Sequence, residues 1–398
     1  MDEFARVYDD YKIFISHFLA ITTRAFDSLH QQNDMKRNIP SLTKTGCMSR
    51  QSILAEIINK NGLDSVILTD PKLVHYFTGF WGRCIMSPVF WMNAQGKTIV
   101  SIPYRSDNLY VDEIIIYPSN RMGTLDDQQL YLAIKPVLEN LPSTEKIGFN
   151  EYVPGTFLSH FEWFDVSVDL LKMRRTKHPD EIDLITFAIE ACEYSYLHVP
   201  EMLQEGIDEI ELWANIQKLA ADFVGETLGE IGNDYQIGSV GSKPRNRKAQ
   251  NGEMAILDIS IVVRGYASDM CRSFAVGGEV TPIQLEAQNK IIETLQFAES
   301  KVELGYSCRK LHEEILELIN GWHDFEFQHH LGHGIGLSNH EAPRINLKWN
   351  DHFESGDVFA LEPGMYGSEL QAGLRIEEVY HLSETGLNKL TKLPLTFN

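Results

Sequence analysis

Residues 252–274 read GEMAILDISIVVRGYASDMCRSF: two apolar, β-branched runs flank an Arg-Gly pair, and each run carries one aspartate, Asp258 and Asp269. Runs of this kind around a glycine-containing turn are the signature of a β-hairpin. Pairing Asp258 with Asp269 puts the centre of the hairpin between Val263 and Arg264. Directly opposed side chains in such a ladder lie about 4.5 to 5.5 Å apart at Cβ. Two carboxylates at that separation repel, so either one is protonated or a cation neutralises the pair. A solvated polar face on a surface hairpin is the plainer alternative, and the rest of the chain decides between them.

Downstream stand further groups of the kind a divalent ion needs: His333 in HHLGHGIGLSNHEAP (329–343), Glu362 in VFALEPGMY (358–366) and Glu377 in GLRIEEVYHL (373–382). Oxygen and nitrogen donors without thiolate suit Mn, Co, Zn or Fe(II), not a Cys-rich structural zinc site. Two aspartates and two glutamates carry more negative charge than one divalent ion cancels, so two ions bridged by shared carboxylates are the balanced arrangement. Singly, each residue has an ordinary reading: His333 satisfies backbone groups in a Gly-rich stretch, Glu362 caps a turn before Pro363, and Glu377 lies on a strand surface. Alternation around residue 377 places Arg375 and Glu377 on the less apolar face, opposite Leu374 and Ile376, and turns Glu378 the other way.

Taken together and in order, these motifs resemble the metallopeptidase family of methionine aminopeptidase, aminopeptidase P, prolidase and creatinase. The family pattern is an Asp, a second Asp in G-Y-x-x-D-x-x-R, a His in G-H-G-x-G, a Glu in E-P-G-x-Y and a Glu in R-I-E, met here by Asp258, Asp269, His333, Glu362 and Glu377. The resemblance implies that Asp258 chelates one metal, that His333 and Glu362 hold the other, and that Asp269 and Glu377 bridge both. It also implies catalytic roles for His340, Glu362, Tyr366 and Arg375. His340, seven residues after His333, would stabilise the tetrahedral intermediate; Glu362 would shuttle a proton; Arg375 would hold Glu377 and the metal pair in register. His329 is expected beside the ligands as a supporting group, and Cys271, where the family commonly has Thr, as a buried, inert thiol.

One departure stands out. Relatives carry a substrate-contacting His before the first aspartate, whereas IGSVGSKPRNRKAQNGEMAILD (237–258) holds none and Gly241 falls at that position. Arg245 or Arg247 would substitute by binding a substrate carboxylate. The loss favours an alternative chemistry on the same scaffold, a non-peptide hydrolase or lyase acting on a small amide or sulfonium compound. A catalytically weak binding homologue is the third possibility.

Upstream, SRQSILAEIINKNGLDSVILTDPKLVHYFTGF (49–80) reads as an amphipathic helix, a glycine turn, a short apolar strand and a second helix ending at Gly79. Its YFTGF segment is similar to the amino-terminal α/β domain of the creatinase, prolidase and aminopeptidase P branch, which methionine aminopeptidases lack. The resemblance spans about 48 to 398 and implies an α+β architecture: a pita-bread catalytic domain over 171–398 preceded by a smaller α/β domain over 46–170. Residues 1–45 fall outside it and read as an added helical extension. Helices are expected over 179–198, 208–227, 281–303 and 307–320, with starts at His-Pro-Asp-Glu and Thr-Pro.

Composition bounds the function. The 398 residues are 43% hydrophobic, enough for two domains with real cores. A net charge of −21 argues against sequence-independent nucleic-acid binding and against anionic membranes. Five cysteines, an odd number with no C-x-x-C, point to a reducing compartment, and the acidic start MDEFARVYDD lacks the basic region of a signal peptide, so a cytoplasmic protein is expected. The reading is therefore hydrolysis of short peptides at an Xaa-Pro bond, by an Xaa-Pro dipeptidase or an aminopeptidase P-like enzyme. Two divalent ions, Mn foremost and Co, Zn or Fe as alternatives, would serve it in a homodimer, as the resemblance implies.

Overall fold

The computed structural model describes residues 38–396 apart from 83, 84, 230, 231 and 233. The chain separates into two units, Met1–Asn38 and Ile39–Asn398, and the description concerns the second. The helical extension expected over 1–45 falls almost wholly outside the described residues.

The first elements begin where side chains can cap them. Thr43 accepts from the Gly46 amide at the head of α1 (Lys44–Lys60), and Asp70 accepts from Lys72 at the head of α2 (Pro71–Thr78), which Gly79 closes in the left-handed conformation. Between them runs β1 (Ser65–Leu68), buried along its whole length. Next come β2 (Val89–Asn93), β3 (Thr98–Ile102), β4 (Glu113–Ile116), α3 (Gln129–Leu138), β5 (Lys146–Phe149), β6 (Glu162–Asp165) and α4 (Ser167–Arg175). The sheet order is β4-β3-β2-β1-β5-β6. It is mixed: β2 is antiparallel to both neighbours, while β3–β4, β1–β5 and β5–β6 are parallel.

The second half carries four long helices: α5 (Pro179–Leu197), α6 (Glu209–Val224), α7 (Pro282–Lys301) and α8 (Cys308–Ile319). Asp208 and Ser307 cap α6 and α8, the Glu181 carboxylate accepts from the His178 amide at the head of α5, and at α7 Thr281 and Gln284 bond each other's backbone amides. The strands are β7 (Met254–Ile259), β8 (Val262–Val263), β9 (Tyr266–Ala267), β10 (Met270–Ala275), β11 (Gly332–Gly334), β12 (Glu341–Ile345), β13 (Val358–Leu361), β14 (Gly364–Gly367), β15 (Ala372–Arg375), β16 (Glu378–Ser383) and β17 (Gly386–Lys389). Five of them form an antiparallel sheet in the order β12-β11-β13-β16-β17. The Glu377 amide bonds the Cys271 carbonyl at 3.0 Å, which ties the β7–β10 pair to the segment between β15 and β16.

Apolar packing holds this sheet system from two sides. Ile291 and Leu295 of α7 and Leu311 and Ile315 of α8 pack with Phe359, Leu361 and Tyr380. Leu184 and Ala188 of α5 and Leu212 and Ile216 of α6 pack with Leu257 and Ile259 of β7, in a cluster that continues into α1 and α2. Each such side chain contributes roughly 1.5–3 kcal/mol when fully buried, so the strands that carry the acidic residues have a rigid backing. Arg50 of α1 is fully buried and reaches Asp180 with two bonds of 2.9 and 3.1 Å, joining the first domain to the head of α5.

The register of the hairpin corrects the expectation. Asp258 pairs with Cys271, not Asp269, and the turn is Arg264-Gly265 with φ of 49° and 90°. A two-residue hairpin turn with positive φ at both central positions would strain the β-branched Val263, and shifting the centre by one residue relieves it. The slip moves pairing by two positions and so preserves the face. Asp269 becomes a diagonal neighbour of Asp258, and the two carboxyls still hydrogen-bond.

Candidate metal centre

Three strand systems deliver the acidic groups to one place. His333 sits in the middle of β11, between β12 and β13, with Gly332 and Gly334 on either side. A Cβ on Gly332 would run into the Ala360 carbonyl and one on Gly334 into the Ala342 carbonyl, so the G-H-G motif is what lets this strand pass between its neighbours. His333 Nδ1 faces the Gly334 carbonyl at 3.2 Å, and since a carbonyl only accepts, Nδ1 carries the proton and Nε2 the lone pair. That Nε2 lies 3.6 Å from Asp269 Oδ2 and 3.6 Å from Glu362 Oε1. Asp269, His333 and Glu377, all buried, each offer a ligand atom within 4.8 Å of the others.

The electrostatics are those of a site built for cations. Burial pushes Asp269 and Glu377 well above the ordinary carboxyl range, and the neighbouring carboxylates push them further. Burial, with Glu362 and Asp234 adding to it, raises Asp258 to about 7. Glu362 goes the other way: burial would raise it, but the hydrogen bond from His330 and the surrounding imidazoles hold it low. Burial also lowers His333 to about 4, which leaves a neutral imidazole at neutral pH, the form that ligates. Glu377 Oε2 is buried with no hydrogen-bond partner. A buried carboxylate oxygen without a donor is costly, and a divalent ion among these donors answers it. The residues therefore fit a metal.

Around this cluster lies a cavity of about 430 Å³ lined by Asp258, Asp269, His333, His340, Glu362 and Glu377, with Tyr366 and Arg375 also on its wall. The five candidate metal ligands and the catalytic candidates His340, Tyr366 and Arg375 are thus brought together. His340 stacks on His333 with ring centres 3.6 Å apart. His329, beside the ligands as expected, bonds Tyr366 Oη at 2.7 Å. Cys271 is buried opposite Asp258 in the β7–β10 ladder.

Two expectations are corrected. Arg375 does not hold Glu377: its Nη2 bonds Asp234 at 2.5 Å and Asp258 at 2.9 Å, because β15 ends opposite Gly364 and aims the guanidinium at the β7 side. Arg245 and Arg247 do not reach the cavity. Arg245 bonds Glu209 at 2.6 Å and Arg247 pairs with Glu253, so both serve the loop before β7.

Three features had no counterpart in the sequence reading. His330 lines the cavity and bonds Glu362 Oε1 at 2.7 Å; nothing in the pair His329-His330 distinguishes it from its neighbour. Asp234 also lines the cavity, and a Cβ added at Gly241 would come within 2.5 Å of its carboxylate, so a larger residue at 241 requires Asp234 to move. Lastly, the loop bearing His340 is tied to the first domain and its exit. Lys72 donates to the Leu337 carbonyl at 3.0 Å, Arg174 to Ser338 and to Glu341 at 2.8 Å each, and Lys177 to Glu341 at 2.5 Å.

A buried acidic cluster with one neutral imidazole, set in an antiparallel sheet behind a smaller α/β domain, defines a metal-dependent hydrolase. Residues 183–384 match metallopeptidase family M24 and residues 50–174 match the creatinase/prolidase N-terminal domain; the chain belongs to family M24. It is 26% identical to an Xaa-Pro dipeptidase of Pyrococcus furiosus over 85% of this chain and 96% of that one. The fold is that of an Xaa-Pro dipeptidase from Bacillus anthracis, with a TM-score of 0.74 at 21% identity over 88% of this chain and 99% of that one. An X-Pro aminopeptidase from Thermotoga maritima superposes with a TM-score of 0.71 at 22% identity, over 87% and 99% of the two chains. No helix among the described residues is long and apolar enough to cross a membrane.

Proposed function

We propose that this protein hydrolyses the bond between an amino-terminal residue and proline in short peptides, using two divalent ions held by Asp258, Asp269, His333, Glu362 and Glu377. The observation that carries the reading is the buried cluster of Asp269, His333 and Glu377, with an unpartnered oxygen on Glu377, in a chain of family M24. The relatives named for Xaa-Pro cleavage support the choice of bond. Bound divalent ions supply Lewis-acid polarisation of the carbonyl and a water acidic enough to attack at neutral pH. Asp258, Asp269, His333, Glu362 and Glu377 would hold the ions, and Asp269 and Glu377, buried at the centre of the cluster beside His333, would be the carboxylates shared between them.

The remaining steps belong to the chain's own side chains. His340, whose pKa burial and His330 lower, faces the cavity as a neutral imidazole and donates a hydrogen bond to the carbonyl oxygen as negative charge develops on it. Glu362 takes the proton of the attacking water and delivers it to the departing proline nitrogen. Arg375, bonded to Asp234 and Asp258, balances the negative charge on that wall, and Tyr366, 3.5 Å from Arg375 Nη1, borders the same space. The same reading takes manganese as the working ion, a homodimer as the assembly and the cytoplasm as the compartment; metal analysis, light scattering and fractionation test these.

The deciding experiment reconstitutes chelator-stripped protein separately with Mn, Co, Zn and Fe(II) and offers Xaa-Pro dipeptides and longer Xaa-Pro peptides. Metal-dependent release of the amino-terminal residue is expected, and the ratio of the two substrate lengths separates dipeptidase from aminopeptidase behaviour. One observation favours a second reading, a small amide or sulfonium substrate: Gly241 stands at the position of the substrate-side histidine, and the Asp234 carboxylate crowds the place its Cβ would take. Metal-loaded protein that cleaves no peptide but turns over such compounds would replace the first reading with the second.

A further inference from the structure

The cavity wall beside Asp258 carries a carboxylate outside the five candidate ligands. The Asp258 amide donates to the Asp234 carbonyl at 3.0 Å, which sets the two aspartates side by side. Asp234 Oδ2 lies 2.5 Å from Arg375 Nη2, and the same nitrogen lies 2.9 Å from Asp258 Oδ2. Among the described residues on the wall, Arg375 is the sole arginine or lysine. Gly241, at φ 137°, leaves room for this arrangement, since a Cβ there would come within 2.5 Å of the Asp234 carboxylate. The other two guanidiniums of the loop before β7 are held elsewhere, Arg245 by Glu209 and Arg247 by Glu253.

We propose that Asp234 is a specificity-determining residue that closes this wall to a substrate carboxylate, so that peptides continuing beyond the proline are preferred to Xaa-Pro dipeptides. The inference rests on the Xaa-Pro reading and adds to it the length of the substrate. In a dipeptide the free carboxylate is carried on the carbon next to the proline nitrogen, within one residue, about 3.8 Å, of the bond that breaks. It therefore falls inside the cavity. A guanidinium is the side chain best shaped to receive it. Arg375 already serves two carboxylates, and Asp234 sets a like charge against a third. In a longer peptide the same place holds a neutral peptide carbonyl, and each added residue carries the terminal carboxylate about 3.3–3.6 Å further out.

Charge counting leads to the same result. Two divalent ions match Asp258, Asp269, Glu362 and Glu377, and Arg375 matches Asp234, so the filled centre keeps no surplus positive charge for an anion. Asparagine at 234 would leave one. The wall also offers Gln328 and Asn339, whose amides match the donors and acceptors of a continuing peptide backbone. Asp234 thus acts on the substrate in two ways, by occupying the guanidinium and by repelling the carboxylate that would otherwise use it.

The test compares molecules that differ only in the carboxylate: Ala-Pro with Ala-Pro-amide for cleavage, and L-proline with L-prolinamide for binding by calorimetry. Metal-loaded wild type, Asp234→Asn and Asp234→Glu are measured with metal content in parallel. The wild type is expected to favour the amide by about 10-fold or more in KM and in binding. That preference should vanish or reverse in Asp234→Asn and persist in Asp234→Glu, which keeps the charge. A merely structural role would weaken both peptides together and leave their ratio as it was. A wild type that favours Ala-Pro, an unchanged ratio in Asp234→Asn, or equal loss on both peptides together with loss of metal overturns the proposal. Cleavage of neither peptide is the failure of the Xaa-Pro reading. The calorimetric arm still decides Asp234 in that case, because equal binding of proline and prolinamide to the wild type, or binding of neither, overturns the inference by itself.

Discussion

Glu341 offers the sharpest test of how the first domain serves the reaction. Its carboxylate is buried, accepts from Arg174 at 2.8 Å and from Lys177 at 2.5 Å, and adjoins His340 in the chain. Glu341→Ala leaves a buried ammonium and a guanidinium facing no anion, and breaking a buried ion pair in this way costs about 3–5 kcal/mol. Unfolding entropy runs at roughly 2 cal/mol/K per residue, so for a chain of this length the expected fall in Tm is about 4–6 °C. The functional effect is larger. The clamp sets where the His340 imidazole stands, and misplacing a catalytic group by an ångström costs on the order of 100-fold in rate. The expected signature is a kcat loss of that order with KM and bound metal near wild type, and partial recovery in Glu341→Gln, whose amide oxygen still accepts from one cation. Thermal unfolding, metal analysis and steady-state kinetics on the purified variants measure all three. Wild-type Tm and kcat in Glu341→Ala would refute the reasoning, and loss of metal together with kcat would show that the clamp supports the ligands rather than His340.

Other outcomes follow from the same geometry. Asp269→Ala and Glu377→Ala should each lose metal and activity together; a variant that keeps both sinks its bridging assignment. His340→Ala should retain metal while kcat drops by about 10²–10³, the usual cost of one oxyanion donor, and unchanged turnover would remove His340 from the mechanism. The stripped protein has a defined pH dependence. Asp258, Asp269 and Glu377 have folded pKa values above their unfolded ones, so the folded state binds more protons and stability falls as pH rises from about 4, the Asp258 contribution being lost through about 7 and those of Asp269 and Glu377 as pH rises through their own raised values. Manganese replaces those protons. The rise in Tm on adding manganese should therefore be larger at pH 7.5 than at pH 5, and an equal or smaller rise would contradict the raised pKa values.

What the sequence made legible was local. The cap-and-proline starts at Thr281-Pro282 and His178-Pro179 announce α7 and α5 because capping involves residues within one turn. Asp258, Asp269, His333, Glu362 and Glu377 stand in short motifs whose glycines and prolines have structural causes, as the carbonyls crowding Gly332 and Gly334 show. The hairpin centre was misplaced by one residue because Arg264, adopting positive φ, leaves no mark in the sequence comparable to Asn-Gly. The rest depends on distance along the chain. Arg375 meets Asp234 across 141 residues and Lys177 meets Glu341 across 164, and no periodicity or spacing encodes such pairings. His330 is separated from His329 only by which side of the strand entry it faces, and Arg245 reads as a free cation until Glu209 is seen against it.

The most direct measurement of the central claim is a titration of stripped protein with Mn(II) in the presence of an Xaa-Pro dipeptide and an Xaa-Pro tripeptide, following bound metal and released amino-terminal residue together. The account expects no hydrolysis of either peptide without metal, activity that rises with occupancy and levels at two ions per chain, and cleavage confined to the bond before proline. Two ions bound without cleavage of any Xaa-Pro peptide, or cleavage that persists in the stripped protein, would contradict it.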